Sequence, residues 1–166
     1  MNQTVQIQVT EKLTYQRVLT AGDRQIAVVV SSEPDSAIVI STQHKSQGSA
    51  VVGVPGNLGA DLMTSLASAY TSATQGSEAS FQVAGLHIAS VKMNDEFQLL
   101  LRGGEAAFPL ALPLAHCLIL SAQVCINDAV GEYRRQVAQI EQQITHVTTM
   151  HEPAYEDLPD IPGDDA

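Results

Sequence analysis

The sequence predicts an α+β protein: an antiparallel β-rich layer built from a duplicated strand–strand–strand–helix unit, a long C-terminal helix and an acidic disordered tail. Three observations predict it. Short β-branched and apolar runs recur between turn residues in both halves of the chain. Each half then closes on apolar residues at helical spacing, first at Leu62, Leu66, Ala69 and Ala73 and again from Ile126 onward. The end of the chain is rich in acids and prolines and buries little, which leaves such segments unfolded. Residues 1–150 read as one domain, with halves at 1–75 and 78–150, and residues 151–166 as the tail.

In chain order, Val5, Ile7 and Val9 alternate with polar residues, as in a half-exposed strand. Leu13 to Thr20 is a second extended stretch, ended by the turn Ala21-Gly22-Asp23. Gln25 to Val30 and Ala37 to Ile40 are β-branched runs joined by Ser-Ser-Glu-Pro-Asp-Ser, a hairpin signal. Thr42 to Ser49 reads as a polar loop and Ala50 to Val54 as a short strand. Leu58 to Ala73 is the first helix, with Asn57 as its cap and Asp61 near its positive end. In the second half, Ser80 to Met93 reads as one long strand. Asn94-Asp95 turns the chain into Phe97–Leu101, and Arg102 to Glu105 turns it into Ala107–Leu112. Pro113 suits a helix first turn, so the long helix runs from there to about Thr149. Gly131 is its weak point.

Composition narrows the function classes. The 166 residues are enough to bury a core, and 45% hydrophobic content with 4% aromatic and no Trp makes that core aliphatic. The net charge of −10 is unevenly placed. Glu152, Glu156, Asp157, Asp160, Asp164 and Asp165 lie in the tail, leaving twelve acids against eight bases in the body. A negative body repels duplex phosphate unless its cations gather on one face. The two cysteines, Cys117 and Cys125, lie eight residues apart on one helix. That is about 12 Å by helix rise, too far for a disulfide, so they read as buried small apolar residues of a reducing compartment. No signal peptide is visible at the N-terminus, and Pro109, Pro113 and His116 interrupt the longest apolar run, Ala106 to Leu120. The expectation is a cytoplasmic protein with no membrane partner.

Chemical motifs are sparse. Gly53-Val-Pro-Gly56-Asn-Leu-Gly59 lies between a strand and a helix, where backbone N–H groups can hold an anion. It lacks the Lys-Ser or Lys-Thr of a phosphate loop, and Val54 stands where a dinucleotide fingerprint needs Gly. His116, Cys117 and Cys125 lack the spacing of three or four that lets helical ligands share an ion, and His44, His87, His146 and His151 are separate. Adjacent helical residues point about 100° apart, so His116 and Cys117 do not form a base–nucleophile pair. The reading is a non-enzyme with no catalytic residues, metal or cofactor.

What the chain does carry is a heptad. Ile126, Val130, Tyr133, Val137, Ile140, Ile144 and Val147 follow steps of four and three, which keeps one apolar seam on one side of a helix. The flanks hold Arg134, Gln136, Glu141 and Gln143. The ordinary use of such a seam is to pack on the chain's own sheet. Its narrowness favours meeting its own copies, giving a homo-oligomeric structural or protein-interaction subunit whose acidic tail is solvated or docks on a protein partner. The alternative is a single-stranded nucleic-acid binder using Arg17, Arg24, Lys45, Lys92 and Arg102, with the tail as competitor. Two strand-rich repeats, each closed by a helix, resemble the Whirly-type single-strand binders at the level of architecture alone. The ending Leu-Pro-Asp-Ile-Pro-Gly-Asp-Asp-Ala is similar to the acidic tips of bacterial and phage single-strand binders, without their closing aromatic residue.

Overall fold

Alternation is what builds the layers. In the computed structural model, which describes residues 11–156 and side chains through residue 147, eight strands form two four-stranded antiparallel sheets. The first contains β1 (Thr14–Ala21), β2 (Arg24–Ser31), β3 (Ala37–His44) and β4 (Gly48–Pro55), paired in chain order. A short 3-10 turn, Gly56–Leu58, leads into helix α1 (Gly59–Thr74). The second sheet contains β5 (Ala79–Val83), β6 (Leu86–Met93), β7 (Glu96–Gly103) and β8 (Ala106–Ala111), again in order, and helix α2 (Leu112–Glu156) follows. The α+β class and the repeated strands-then-helix order are as the sequence predicts, with four strands per unit instead of three.

The extra strand of the second unit comes from a turn inside the run 80–93. Ala84 and Gly85 fold that run into the hairpin β5–β6, with Ala84 at φ 51°. No Pro, Asn or Asp marks the turn; its signals are Gly85 and the shift of the apolar alternation from Phe81 and Val83 to Leu86 and Ile88. The polar stretch from Thr42 extends β3 to His44, and Gly48 at φ +81° reverses the chain into β4. Helix α1 starts after Leu58, and Asn57 makes no cap hydrogen bond because it lies inside the 3-10 turn. Helix α2 runs through Gly131 and on to Glu156, six residues into the stretch expected to be tail. The strand expected at Val5–Val9, and residues 157–166, lie outside the described residues.

Period-two burial marks one face of each sheet as the core. Ile26, Val28, Ile38, Ile40, Val52 and Val54 are buried in the first sheet, and Leu86, Ile88, Leu99, Leu101, Phe108 and Leu110 in the second. The helices cross over between the units: α1 packs on β5, β6 and β7, whereas α2 packs on β1 and β2. The inner faces also meet directly, where β4 lies against β7 and β8. There a Cβ on Gly103 would come within 3.2 Å of the Val52 side chain, tighter than ordinary van der Waals contact, so glycine lets the sheets approach closely.

Candidate functional site

Helix α2 presents two parallel stripes. Ala115, Leu118, Ala122, Cys125 and Ala129, again three and four apart, are buried, and small residues there let the helix lie close to the body. The predicted seam runs one position further on, rotated about 100° around the helix. Ile126 is shared with the core. Val130 is 42% exposed and Ile144 61%, Val147 is exposed, and Tyr133, Val137 and Ile140 are half-buried. The described fold therefore covers the seam at its start and leaves it open further along.

The start of the seam lines a groove of about 650 Å³ between α2, the first turns of α1 and the β2–β3 turn. Met63, Ile126, Val130 and Tyr133 contribute its apolar wall, with Ser32 and Arg134 also lining it. The Gly53–Gly59 motif borders this groove, and its glycines serve packing. A Cβ on Gly56 would lie 2.2 Å from the Ser36 carbonyl oxygen, and one on Gly59 would lie 3.4 Å from side-chain carbons of Ile126 and Ile38.

A polar clasp closes the far end of the body-facing stripe. The Glu11 N–H donates to Gln136 Oε1 at 2.8 Å, and Gln136 Nε2 donates to the Glu11 carbonyl at 3.0 Å and to Glu132 Oε1 at 3.0 Å. Ser32 ties the next residues of the same strand lead-in: Leu13 N–H donates to Ser32 Oγ and Ser32 Oγ–H to the Glu11 carbonyl. Arg135 adds a forked bond to Glu132. Hydrogen bonds from Arg135 and then Gln136 lower the Glu132 carboxyl to about 2, and the same pairing raises Arg135. The sequence marks Gln136 only as a polar flank of the seam. Its burial is invisible in sequence because its partner is backbone 125 residues away.

The five cations of the nucleic-acid alternative do not share a surface. Arg17 lies opposite Val28 on the core-side face of edge strand β1, beside α2. Arg24 lies on the core-side face of β2 and reaches β8, while Lys45 sits in the β3–β4 turn, 3.8 Å from Asp23. Lys92 pairs across from Phe97 at one end of β6, and Arg102 pairs across from His87 near the other end, on the opposite face of the sheet. Arg24 and Lys45 lie near one another, at the same end of the first sheet.

The remaining candidates are dispersed too. His116 stacks on Tyr70, with ring centroids 5.5 Å apart and planes at 22°. His44 accepts the Ser46 N–H at its Nδ1, and His87 is half-buried on the outer sheet face. Cys117 is exposed, contrary to the expectation of two buried thiols, because it points away from the sheet while Cys125 points at it. Burial pushes the Cys125 thiol up; the Arg17 charge works against this and Asp128 with it. Among the described residues, no group of three or more His, Cys, Asp or Glu side chains could hold a metal ion. Part of α2, Leu112–Val147, is long and apolar enough to cross a membrane by length and composition alone. Pro113 falls in the first turn of the helix, so it does not interrupt this stretch. Its apolarity serves two sides, the buried stripe and the exposed Leu120 and Val124. No protein-family model, curated protein or solved structure matches this chain.

Proposed function

We propose that this protein is a non-enzymatic, self-associating subunit of a larger assembly in the cytoplasm, joined to further copies of itself through the seam of α2. One observation carries the reading: the apolar heptad continues past Gln136, the last buried residue described on α2, through Val137, Ile140, Ile144 and Val147. Helix rise places Glu156 about 30 Å beyond Gln136. A helical extension of that length gains little stability from propensity alone and is ordinarily held by packing of its apolar face. A second copy of the same seam supplies that packing at the same spacing. β-branched residues at Val130, Val137 and Ile144, with Ile140 at the other seam position, favour more than two strands if the helices are parallel. In this reading the acidic tail stays solvated or meets a protein partner.

The test is the molar mass of the full chain by sedimentation, compared with the double variant Val137→Glu, Ile140→Glu. The wild type is expected to be oligomeric at micromolar concentration and the variant monomeric, with its far-UV spectrum largely retained. A monomeric wild type, or an oligomeric variant, defeats the reading. Unfolding of the variant at low temperature would instead show that the seam packs on its own body.

A further inference from the structure

A second cavity lies away from α2, where the core-side face of the first sheet runs out and edge strand β8 crosses its end. Arg24 stands opposite His44, and Ile26 opposite Thr42, so Arg24, His44 and Thr42 share that face just beyond the aliphatic core. They line a cleft of about 510 Å³ together with Ser49, Glu105 and Pro109. We propose that this cleft binds a small oxyanion group, a phosphate or a carboxylate, gripped by Arg24, Thr42 and His44.

The geometry of Arg24 is the first reason. Its Nη1 donates to the Pro109 carbonyl at 2.7 Å, on the unpaired edge of β8, which fixes the guanidinium across the gap between the sheets. That leaves the Nε and Nη2 edge of the fork, the edge that takes two oxygens of a carboxylate or phosphate. Nε is buried and has no hydrogen-bond partner among the described residues. Arginine brings a cation to the cleft. No carboxylate among the described residues forms an ion pair with it.

Thr42 is the second reason. It is 6% exposed, yet its hydroxyl has no hydrogen-bond partner among the described residues. Valine would fill the same volume next to Ile26 and Ile40 without a polar atom to satisfy. A hydroxyl in this place is explained by something it bonds. His44 adds a third donor. A backbone N–H can only donate, so Nδ1 accepts from Ser46 and the neutral ring carries its proton on Nε2. Glu105 is the one acid lining the cleft, and the Lys45–Asp23 pair beside it is largely exposed. Among the charged and titratable groups at the cleft, Arg24 and His44 thus favour an anion and Glu105 opposes it. None of the three gripping residues belongs to α2, so the proposal stands apart from self-association.

Thermal unfolding of the full chain tests it, with inorganic phosphate and acetate each titrated against chloride at equal ionic strength. The wild type is expected to gain about 3–5 °C at ten times the dissociation constant of whichever anion binds, and to keep rising with the logarithm of concentration. The two anions tell a phosphate from a carboxylate occupant. Thr42→Val is expected to melt higher than wild type in chloride, since it removes a buried hydroxyl with no partner among the described residues, and to lose the logarithmic rise. Arg24→Gln is expected to lose it as well; if that variant does not fold, Thr42→Val decides alone. A rise that grows linearly with anion concentration instead of with its logarithm, or is equal in wild type and Thr42→Val, is general salt stabilisation and overturns the proposal.

Discussion

A methyl group on Gly56 would sit 2.2 Å from the Ser36 carbonyl oxygen and 2.7 Å from that of Pro34. Both contacts are backbone, in the turn between β2 and β3, so no side chain can rotate away. Gly56→Ala is therefore expected to destabilise the fold by more than about 2 kcal/mol, read from the midpoint of urea unfolding at unchanged slope. A loss under half that value would show that the turn yields readily. The sequence marks Gly56 as a turn residue, and that is correct. What it does not show is the turn from twenty residues earlier that lies against it. Gln136 makes the same point from the polar side, since a residue read as a polar flank is buried and bonded to the Glu11 backbone.

At the scale of elements, the two hairpins of the second sheet differ in legibility for a chemical reason. Asn94 and Asp95 turn β6 into β7 at φ 53° and 65°, and both residue types tolerate the left-handed region. Ala84 occupies that region at φ 51° without such tolerance, so the only local mark of its turn is Gly85 beside it. Ala84→Gly is expected to raise stability by about 0.5–1 kcal/mol, because the strain removed exceeds the added freedom of the unfolded chain. Lower stability in chemical denaturation would mean that Ala84 is unstrained. On α2, heptad spacing identifies an apolar stripe but not its partner. Two adjacent stripes satisfy steps of three and four, and the described body buries the one with smaller residues, from Ala115 to Ala129.

For the whole molecule, the exchange of helices between units is the consequential feature. The apolar face of α1, including Leu62 and Leu66 at 0% exposure, completes the core beneath the second sheet, although α1 follows the first in sequence. Fully burying each leucine contributes about 1.5–3 kcal/mol, a large share of the total stability of a typical domain. Residues 1–77 expressed alone are therefore expected to lack a cooperative unfolding transition, while the full chain melts with circular dichroism and fluorescence coincident. A fragment that unfolds cooperatively as a monomer would show the units to be independent.

The sequence by itself determined the local terms. Alternation of apolar residues specified most strands, three-and-four spacing specified both helices, and Asn, Asp and Gly placed several of the turns. These depend on neighbours within about one helical turn or one hairpin. Long-range packing settles which helix covers which sheet, where the five cations fall, and which polar side chains become buried. Each of those outcomes depends on groups brought together from far along the chain. Arg24 bonds Pro109 and Gln136 bonds Glu11 across separations of 85 and 125 residues, where sequence spacing carries no information about distance in space.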